Sequence, residues 1–215
     1  MKNRVYLVLC GSFSPPTILH LRLLEMAKDE AKRRGLEVLG GLISPVSDGY
    51  GKTFLAPSIH RLELCKRAIQ RNSWISVDDW EISQPTHTPT AKVLASIEER
   101  LGDGVGVMLV CGSDLVCGFT KPGLWADEDI AALLTRHGII AIERNPFSLC
   151  DAILRHPILY KHQDGLIVVK QHIPNEVSST KVRLLIRRKL SLKYLIPDAC
   201  IDYIEKHDLF RDEEN

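Results

Sequence analysis

The stretch from Val5 to His20 constrains this chain more than any other. Residues 5–10 are an apolar run too short for a helix and read as a buried strand. The run breaks at Gly11, and Pro15 and Pro16 then bar helix and ladder until Thr17. Beyond Thr17, Leu19, Leu23, Met26 and Ala27 keep helical spacing, with Lys28, Glu30 and Lys32 on the wet face. A strand therefore ends in a Gly-Ser turn, and a helix follows with Thr17 and His20 in its first turn. A helix start offers unpaired N–H groups and the positive end of a dipole, which suits a phosphate. Thr17 and His20, three apart, share one helix face and can both point at whatever the loop holds. The turn itself is neither a G-x-G-x-x-G nor a Walker fingerprint, and any α/β domain needs a turn here. The threonine and histidine directly behind it carry the argument, and His20 is where the chemistry is expected.

The remaining pattern alternates strand and helix. The first helix ends at Gly35, and residues 38–44 read as a second buried strand. Residues 45–52 form a turn-rich loop expected to be mobile. A helix runs from Pro57-Ser58 to about Arg71, with Leu62, Cys65 and Ile69 inward, and residues 74–77 form a short strand. A helix over 90–101 leads to the clearest later strand, 105–111, which ends in Gly112-Ser113-Asp114. A short helix, a helix over 127–137 and a strand over 138–142 follow. Residues 153–162 show no clear period, 166–169 are a strand, and 178–190 and 197–207 are helices. This order predicts an α/β fold, a Rossmann-like doubly wound parallel sheet with helices on both faces and a small C-terminal helical part. With no repeat, low-complexity segment or dividing linker, residues 1–215 read as a single domain. Ligands of such sheets bind at the carboxyl ends of strands, where Gly11-Ser12, Gly112-Ser113-Asp114 and Arg144 are expected.

A net charge of +1 supplies no field for nucleic acid or membrane, so an anionic ligand must be held by local positive groups. Cys10 and Cys111 each close an apolar strand, and none of the six cysteines makes a C-x-x-C pair. That favours a reducing compartment without structural zinc. No stretch of about 18 apolar residues occurs, and the chain enters a strand almost at once. Neither a membrane span nor a secretory signal is expected, which leaves cytoplasm, nucleus or both. Pattern alone does not separate an exposed apolar face from core, so a homo-oligomer stays open.

A second chemistry-bearing segment lies late in the chain. Val177-Ser178-Ser179-Thr180-Lys181-Val182-Arg183 puts hydroxyls at a helix start and a guanidinium within its first two turns. Ser179 and Thr180, with the end amides, can cradle phosphate oxygens, and Arg183 adds forked donors. A capped amphipathic helix with a solvated basic face is the alternative, and Arg187, Arg188 and Lys189 are read that way. Joined to residues 11–20, Ser44-Pro45-Val46, 78–81, 111–114, Leu124-Trp125, 193–198 and Tyr203-Ile204, this segment gives the chain a recognisable order of motifs. In that order and spacing the chain resembles the eukaryotic-type nicotinamide mononucleotide (NMN) adenylyltransferases, members of the T/H-x-x-H nucleotidyltransferases.

The resemblance implies in-line attack by the mononucleotide 5′-phosphate on the α-phosphorus of ATP, giving NAD and pyrophosphate. Nicotinate mononucleotide (NaMN) would serve as a second acceptor. It implies catalytic roles for His20 and Arg183 and ATP-phosphate contacts from Gly11, Ser12, Phe13, Thr17, Ser179, Thr180 and Arg183. On the mononucleotide side it implies Lys52 at the phosphate, Asp114 at ribose hydroxyls, Thr90 near the base amide and Trp125 stacked on the pyridine. Trp80, read as a framework position, is counted with His87, Gly112, Leu124, Arg144 and Asn175 among the residues of the mononucleotide site. Magnesium is implied as a cofactor bridging substrate phosphates, held by water and substrate rather than by protein side chains. The chain departs from the pattern at His87, where a second stacking tryptophan is common, at Ser14 in place of asparagine, and at Gly51 in place of a loop lysine. Two rivals remain: another transferase of this fold acting on a pantetheine phosphate, and a non-catalytic nucleotide-binding protein. Intact Thr17, His20 and Arg183 argue against the second.

Overall fold

The computed structural model describes residues 2–51, 54–144 and 148–211. Six strands form one sheet: β1 (Arg4–Gly11), β2 (Glu37–Pro45), β3 (Ile75–Val77), β4 (Val105–Gly112), β5 (Ile139–Glu143) and β6 (Leu166–Lys170). Their order is β3-β2-β1-β4-β5-β6, with β1, β4, β5 and β6 paired in parallel. Leu109 sits opposite both Val8 and Ile139, and Ile139 opposite Leu166. Strands of a parallel sheet are covered on both faces, so they read as continuous apolar runs rather than alternating ones. Leu7, Val8, Leu9 and Val107 through Val110 are accordingly 4% exposed or less. The order runs outward from β1 and then restarts on its other edge with β4, the arrangement of the doubly wound fold.

Helix α1 (Ile18–Arg33) buries Leu19, Leu23, Met26 and Ala27, as its spacing predicts, and Leu24 and Ala31 besides. Gly35, at φ 80°, closes it by donating to the Lys32 carbonyl. Hydrogen bonding from Arg33 and Arg34 outweighs burial and holds the Glu30 carboxyl down at about 2.

The sequence reading needs correction in three places. In α2 (Ser58–Ala68) the buried face is Arg61, Leu64, Cys65 and Ala68, while Leu62 and Ile69 are only half-buried. The apolar stripe is rotated because a buried arginine occupies one of its positions. The expected helix over 127–137 splits into α5 (Asp127–Ala132) and a wider π turn (Leu133–His137) that ends at Gly138, φ 82°. The segment without a clear period holds two short helices, α6 (Leu149–Arg155) and α7 (Pro157–Lys161). Pro157 divides them: it lacks an N–H, and His156 before it is extended at φ −113°, ψ 114°. The remaining helices are α3 (Thr90–Leu101), α4 (Ser113–Gly118), α8 (Ser179–Arg187) and α9 (Asp198–Lys206).

The chain gathers into two compact units. The first comprises residues 1–10, 23–41 and 89–174, and holds β4, β5 and β6 with α3 to α7. The second comprises residues 11–22, 42–88 and 175–215. Its core joins Leu64 and Ala68 of α2 to Val182 of α8 and to Cys200, Tyr203 and Ile204 of α9, with Leu192 and Ile196 between them. Helix α8 starts at a real cap, the Ser178 hydroxyl accepting the Lys181 N–H at 3.2 Å. Ser178→Ala should lower stability by about 1 kcal/mol and the melting temperature by roughly 2–4 °C, as thermal denaturation would read. Among the described residues no helix is long and apolar enough to cross a membrane. All six cysteines are free.

Candidate active site

In the second unit, the turn after β1 is held by its carbonyls. The Gly11 carbonyl accepts the Val46 N–H at 3.0 Å, and the Ser12 carbonyl accepts Arg61 Nη1 at 3.3 Å. Arg183 Nη1 donates to the Ser14 carbonyl and the Ser179 hydroxyl to the Pro15 carbonyl, both at 2.8 Å. A trans peptide points its N–H opposite to its C=O. Pinning the Gly11 and Ser12 carbonyls therefore turns the Ser12 and Phe13 amides to the other side of the turn. Pro15 and Pro16 have no N–H to offer, which concentrates the turn's donors at residues 12 to 14. Phe13 adopts φ 44° with a buried ring, and Gly11 leaves room for it: a Cβ at residue 11 would stand 3.3 Å from that ring.

The start of α1 differs from a bare helix N-terminus. The Thr17 N–H donates to His20 Nδ1 at 2.8 Å, with the Thr17 hydroxyl 3.0 Å from the same nitrogen, and the Ile18 N–H donates to the Leu195 carbonyl at 3.0 Å. The imidazole is thus its own helix's cap. A backbone N–H can only donate, so Nδ1 is an acceptor and the neutral ring carries its proton on Nε2. The edge of Phe13 meets the His20 ring at 5.1 Å and 72°, so the ring is fixed from two sides. The spacing of Thr17 and His20 does structural work that also sets the tautomer.

The structure brings Gly11, Ser12, Phe13, Thr17, His20, Ser179 and Arg183 to this one turn. Arg183 is 8% exposed, and Thr180 is exposed in the first turn of α8. Their functional groups are imidazole, hydroxyl, amide and guanidinium, a donor set for anionic oxygens rather than for a hard cation. Among the described residues no three His, Cys, Asp or Glu side chains converge as metal ligands.

Two charged residues of this unit are interior, which the sequence reading did not foresee. Arg61 is fully buried and donates to the Ala56 carbonyl (2.8 Å), the Val46 carbonyl (2.7 Å), the Ser12 carbonyl and Asp48 Oδ1 (2.8 Å). Glu81, 2% exposed, accepts the Ser44 hydroxyl at 2.8 Å. Burial pushes its carboxyl up to about 7, and neighbouring Asp78 adds to the rise against the Ser44 bond and Arg61. Arg61 had no part in the sequence reading, and Glu81 entered it only as the last residue of the 78–81 motif. The available signal was the place of Arg61 in the 61, 64, 65, 68 stripe of α2.

The loop expected to be mobile is tied down over its described part. The Ser47 hydroxyl donates to the Thr86 carbonyl at 3.0 Å, and Asp48 pairs with Arg61 and accepts the Ser58 N–H. Gly49 lies so close to the backbone of Thr86 and His87 that a Cβ would meet it at 2.7 Å. His87 is exposed with its ring tilted on Tyr50, centroids 4.9 Å apart. Trp80 is half-buried and its carbonyl accepts Ser83 and Gln84, a framework arrangement. The Asn175 side chain accepts the Val177 N–H at 3.0 Å and shapes the approach to α8. Lys52 lies outside the described residues.

In the first unit, β4 ends at Gly112 and α4 begins at once. Ser113 bonds both ways with Arg144, its hydroxyl accepting the Arg144 N–H at 2.9 Å and lying 3.2 Å from the Arg144 carbonyl. Asp114 is exposed and folds back over Gly112, where any side chain would collide with its carboxylate. At the other end of α4, Leu124 and Trp125 pack against Gly118, with Trp125 edge-on to Phe119 at 4.8 Å. Leu124 is 60% exposed and Trp125 half-buried. Thr90 is the first residue of α3 and half-buried, with Pro89 as its N-cap.

A doubly wound sheet whose first strand ends in an amide-presenting turn backed by a fixed histidine defines a nucleotide-binding α/β protein. The cytidylyltransferase-like family profile matches residues 8–185. Nicotinamide/nicotinic acid mononucleotide adenylyltransferase 1 of Saccharomyces cerevisiae is 43% identical over 99% of this chain, which spans 57% of that protein's length. The Arabidopsis thaliana nicotinamide/nicotinic acid mononucleotide adenylyltransferase is 39% identical over 97% of this chain and 91% of its own length. Among solved structures, Plasmodium falciparum nicotinic acid mononucleotide adenylyltransferase complexed with APC shares the fold, with a TM-score of 0.67 at 22% identity over 98% of each chain. The chain belongs to the cytidylyltransferase-like family and, within it, to the nicotinamide/nicotinic acid mononucleotide adenylyltransferases.

Proposed function

We propose that this chain transfers the adenylyl group of ATP to nicotinamide mononucleotide, and also to nicotinate mononucleotide, releasing pyrophosphate and NAD or deamido-NAD. The observation that carries the proposal is the His20 imidazole, its Nδ1 occupied by the Thr17 N–H and its proton on Nε2, at a turn clamped by Arg183 and Ser179.

An oxygen of the acceptor's 5′-phosphate attacks the α-phosphorus of ATP in line, and the bond to the bridging oxygen of the departing pyrophosphate breaks. Such a transfer needs no protein nucleophile; it needs positioning and stabilised charge. His20 Nε2–H donates to an α-phosphate oxygen as negative charge grows there. The Ser12 and Phe13 amides hold neighbouring oxygens, and Arg183, Ser179 and Thr180 hold the rest of the triphosphate with Gly11 and Thr17 shaping the turn. This donor set offers no carboxylate ligands for magnesium, so such an ion would be held by substrate and water and would supply neutralising charge.

On the acceptor side the resemblance assigns Trp125 to the pyridine, Asp114 to ribose hydroxyls, Thr90 to the base amide, and Leu124, Gly112 and Arg144 to further contacts with the mononucleotide. The same resemblance assigns the mononucleotide phosphate to Lys52 and further mononucleotide contacts to His87 and Asn175, with Trp80 as their framework. Trp125→Ala should raise the KM for the mononucleotide roughly tenfold, as expected for loss of one base–aromatic stack, with kcat changed far less. Equal KM values for both proteins would remove Trp125 from the pyridine site. A net charge of +1 supports small anionic substrates rather than a nucleic-acid partner, and the free thiols support a cytoplasmic or nuclear setting.

Mixing the protein with ATP, magnesium and NMN and measuring pyrophosphate and NAD tests the reading. Both products should accumulate one to one. A product formed only with a non-pyridine acceptor such as a pantetheine phosphate, or no turnover with any acceptor, would overturn it.

A further inference from the structure

We infer that Arg61 is a positioning residue for adenylyl transfer, setting the phosphate-binding turn through the Ser12 carbonyl and locking that turn to the loop after β2. The inference rests on the adenylyltransferase reading above. A guanidinium taken fully out of water loses its hydration and must recover it from protein acceptors. Arg61 does so with donors fanned in one plane: Nε to Ala56, Nη1 to both Val46 and Ser12, and Nη2 to Asp48. One Nη1 therefore bridges the carbonyl of residue 12, in the turn after β1, and that of residue 46, after β2.

The bond to Ser12 has a directional consequence. The carbonyl of residue 12 and the N–H of residue 13 belong to one rigid peptide plane. Rotating that carbonyl toward Arg61 aims the Phe13 amide away from it, and Phe13 adopts the left-handed φ of 44° that this orientation accompanies. An oxyanion donor is effective only when it is already aimed, because reorganising it during the reaction costs rate. Arg61 touches no reacting atom. It acts through the peptide that does.

The bond to Asp48 extends the same constraint to the described part of the loop after β2. Asp48 is half-exposed and also accepts the Ser58 N–H, so one carboxylate joins the loop to the first turn of α2. Lysine in place of Arg61 keeps the buried charge and enough reach for Asp48, but a compact ammonium lacks the planar fork that meets several carbonyls at once. Arg61→Lys thus separates charge burial from aim.

The decisive measurement is the KM-against-kcat split for NAD formation in Arg61→Lys, with melting temperatures recorded alongside. The expected result is a kcat lowered about tenfold or more, a KM for the mononucleotide within a few-fold of wild type, and a folded protein at the assay temperature. Asp48→Asn, at a half-exposed position, loosens the same guanidinium without emptying its site and should lower kcat several-fold with little change in melting temperature. Should the lysine variant fail to fold, Asp48→Asn decides alone. Wild-type kcat in a folded Arg61→Lys, or in Asp48→Asn when it stands alone, overturns the inference. A wild-type protein that makes no NAD overturns the adenylyltransferase reading instead, so the two failures are distinguishable.

Discussion

His20→Ala is expected to lower kcat for NAD formation by about 10²–10³-fold, the usual cost of one preorganised donor to a developing charge. The imidazole earns this expectation from its fixed geometry. Its Nδ1 is held by the Thr17 N–H and its ring by Phe13, so Nε2–H has one direction and no reorganisation is needed as the α-phosphate gains charge. An interaction made mainly in the transition state lowers kcat and kcat/KM together, whereas one that merely holds ATP raises KM. The first outcome is expected. Removing the ring also strands the N–H of Thr17, a fully buried residue, so a stability cost of about 1–3 kcal/mol is expected, less than the roughly 5–15 kcal/mol of a typical domain. The variant should therefore be folded and slow. Near-normal turnover in a folded His20→Ala would take His20 out of the mechanism.

The second large effect concerns stability. Glu81→Gln should stabilise the protein by about 3 kcal/mol at pH 8 and change it little at pH 4.5. Burial raises the Glu81 carboxyl from the ordinary 4.5 to about 7, so the folded protein holds a proton there that the unfolded chain has released. A carboxyl raised on folding contributes stability that is complete below 4.5 and is lost as pH rises through 7. The gap between those values corresponds to about 3 kcal/mol. Glutamine mimics the protonated form at every pH and keeps an oxygen for the Ser44 hydroxyl to donate to. Urea denaturation of both proteins from pH 4.5 to 8.5 reads the difference directly. A difference that is the same at pH 5 and pH 8 would show that Glu81 does not titrate in this window.

Much of the architecture was legible because it is carried by local periodicity. The run from Val5, the spacing of Leu19, Leu23 and Ala27, and the 105–111 run are signals contained within a few turns or one strand. The two short helices α6 and α7 were not legible, since seven and five residues give too few repeats to show a period. The π turn after α5 has no propensity signal of its own and was read as continued α-helix. At the site, Thr17 with His20, and Ser179 with Arg183, each fall within one or two helical turns, so their pairing could be read from spacing. The side-chain bonds that join the two groups, Arg183 to Ser14 and Ser179 to Pro15, span 169 and 164 residues.

The amino-acid order alone settled the strand and helix alternation, the turn at Gly11 and the presence of a histidine in the helix start behind it, because each depends on neighbours a few residues away. Folding decided which nitrogen of His20 bears the proton, which way the turn's amides face, and that Arg61 and Glu81 are interior. Those outcomes depend on who meets whom after distant segments pack: an ionisable group is buried only where carbonyls or hydroxyls remote in sequence replace its water, as Ser12 and Val46 do for Arg61 and Ser44 does for Glu81.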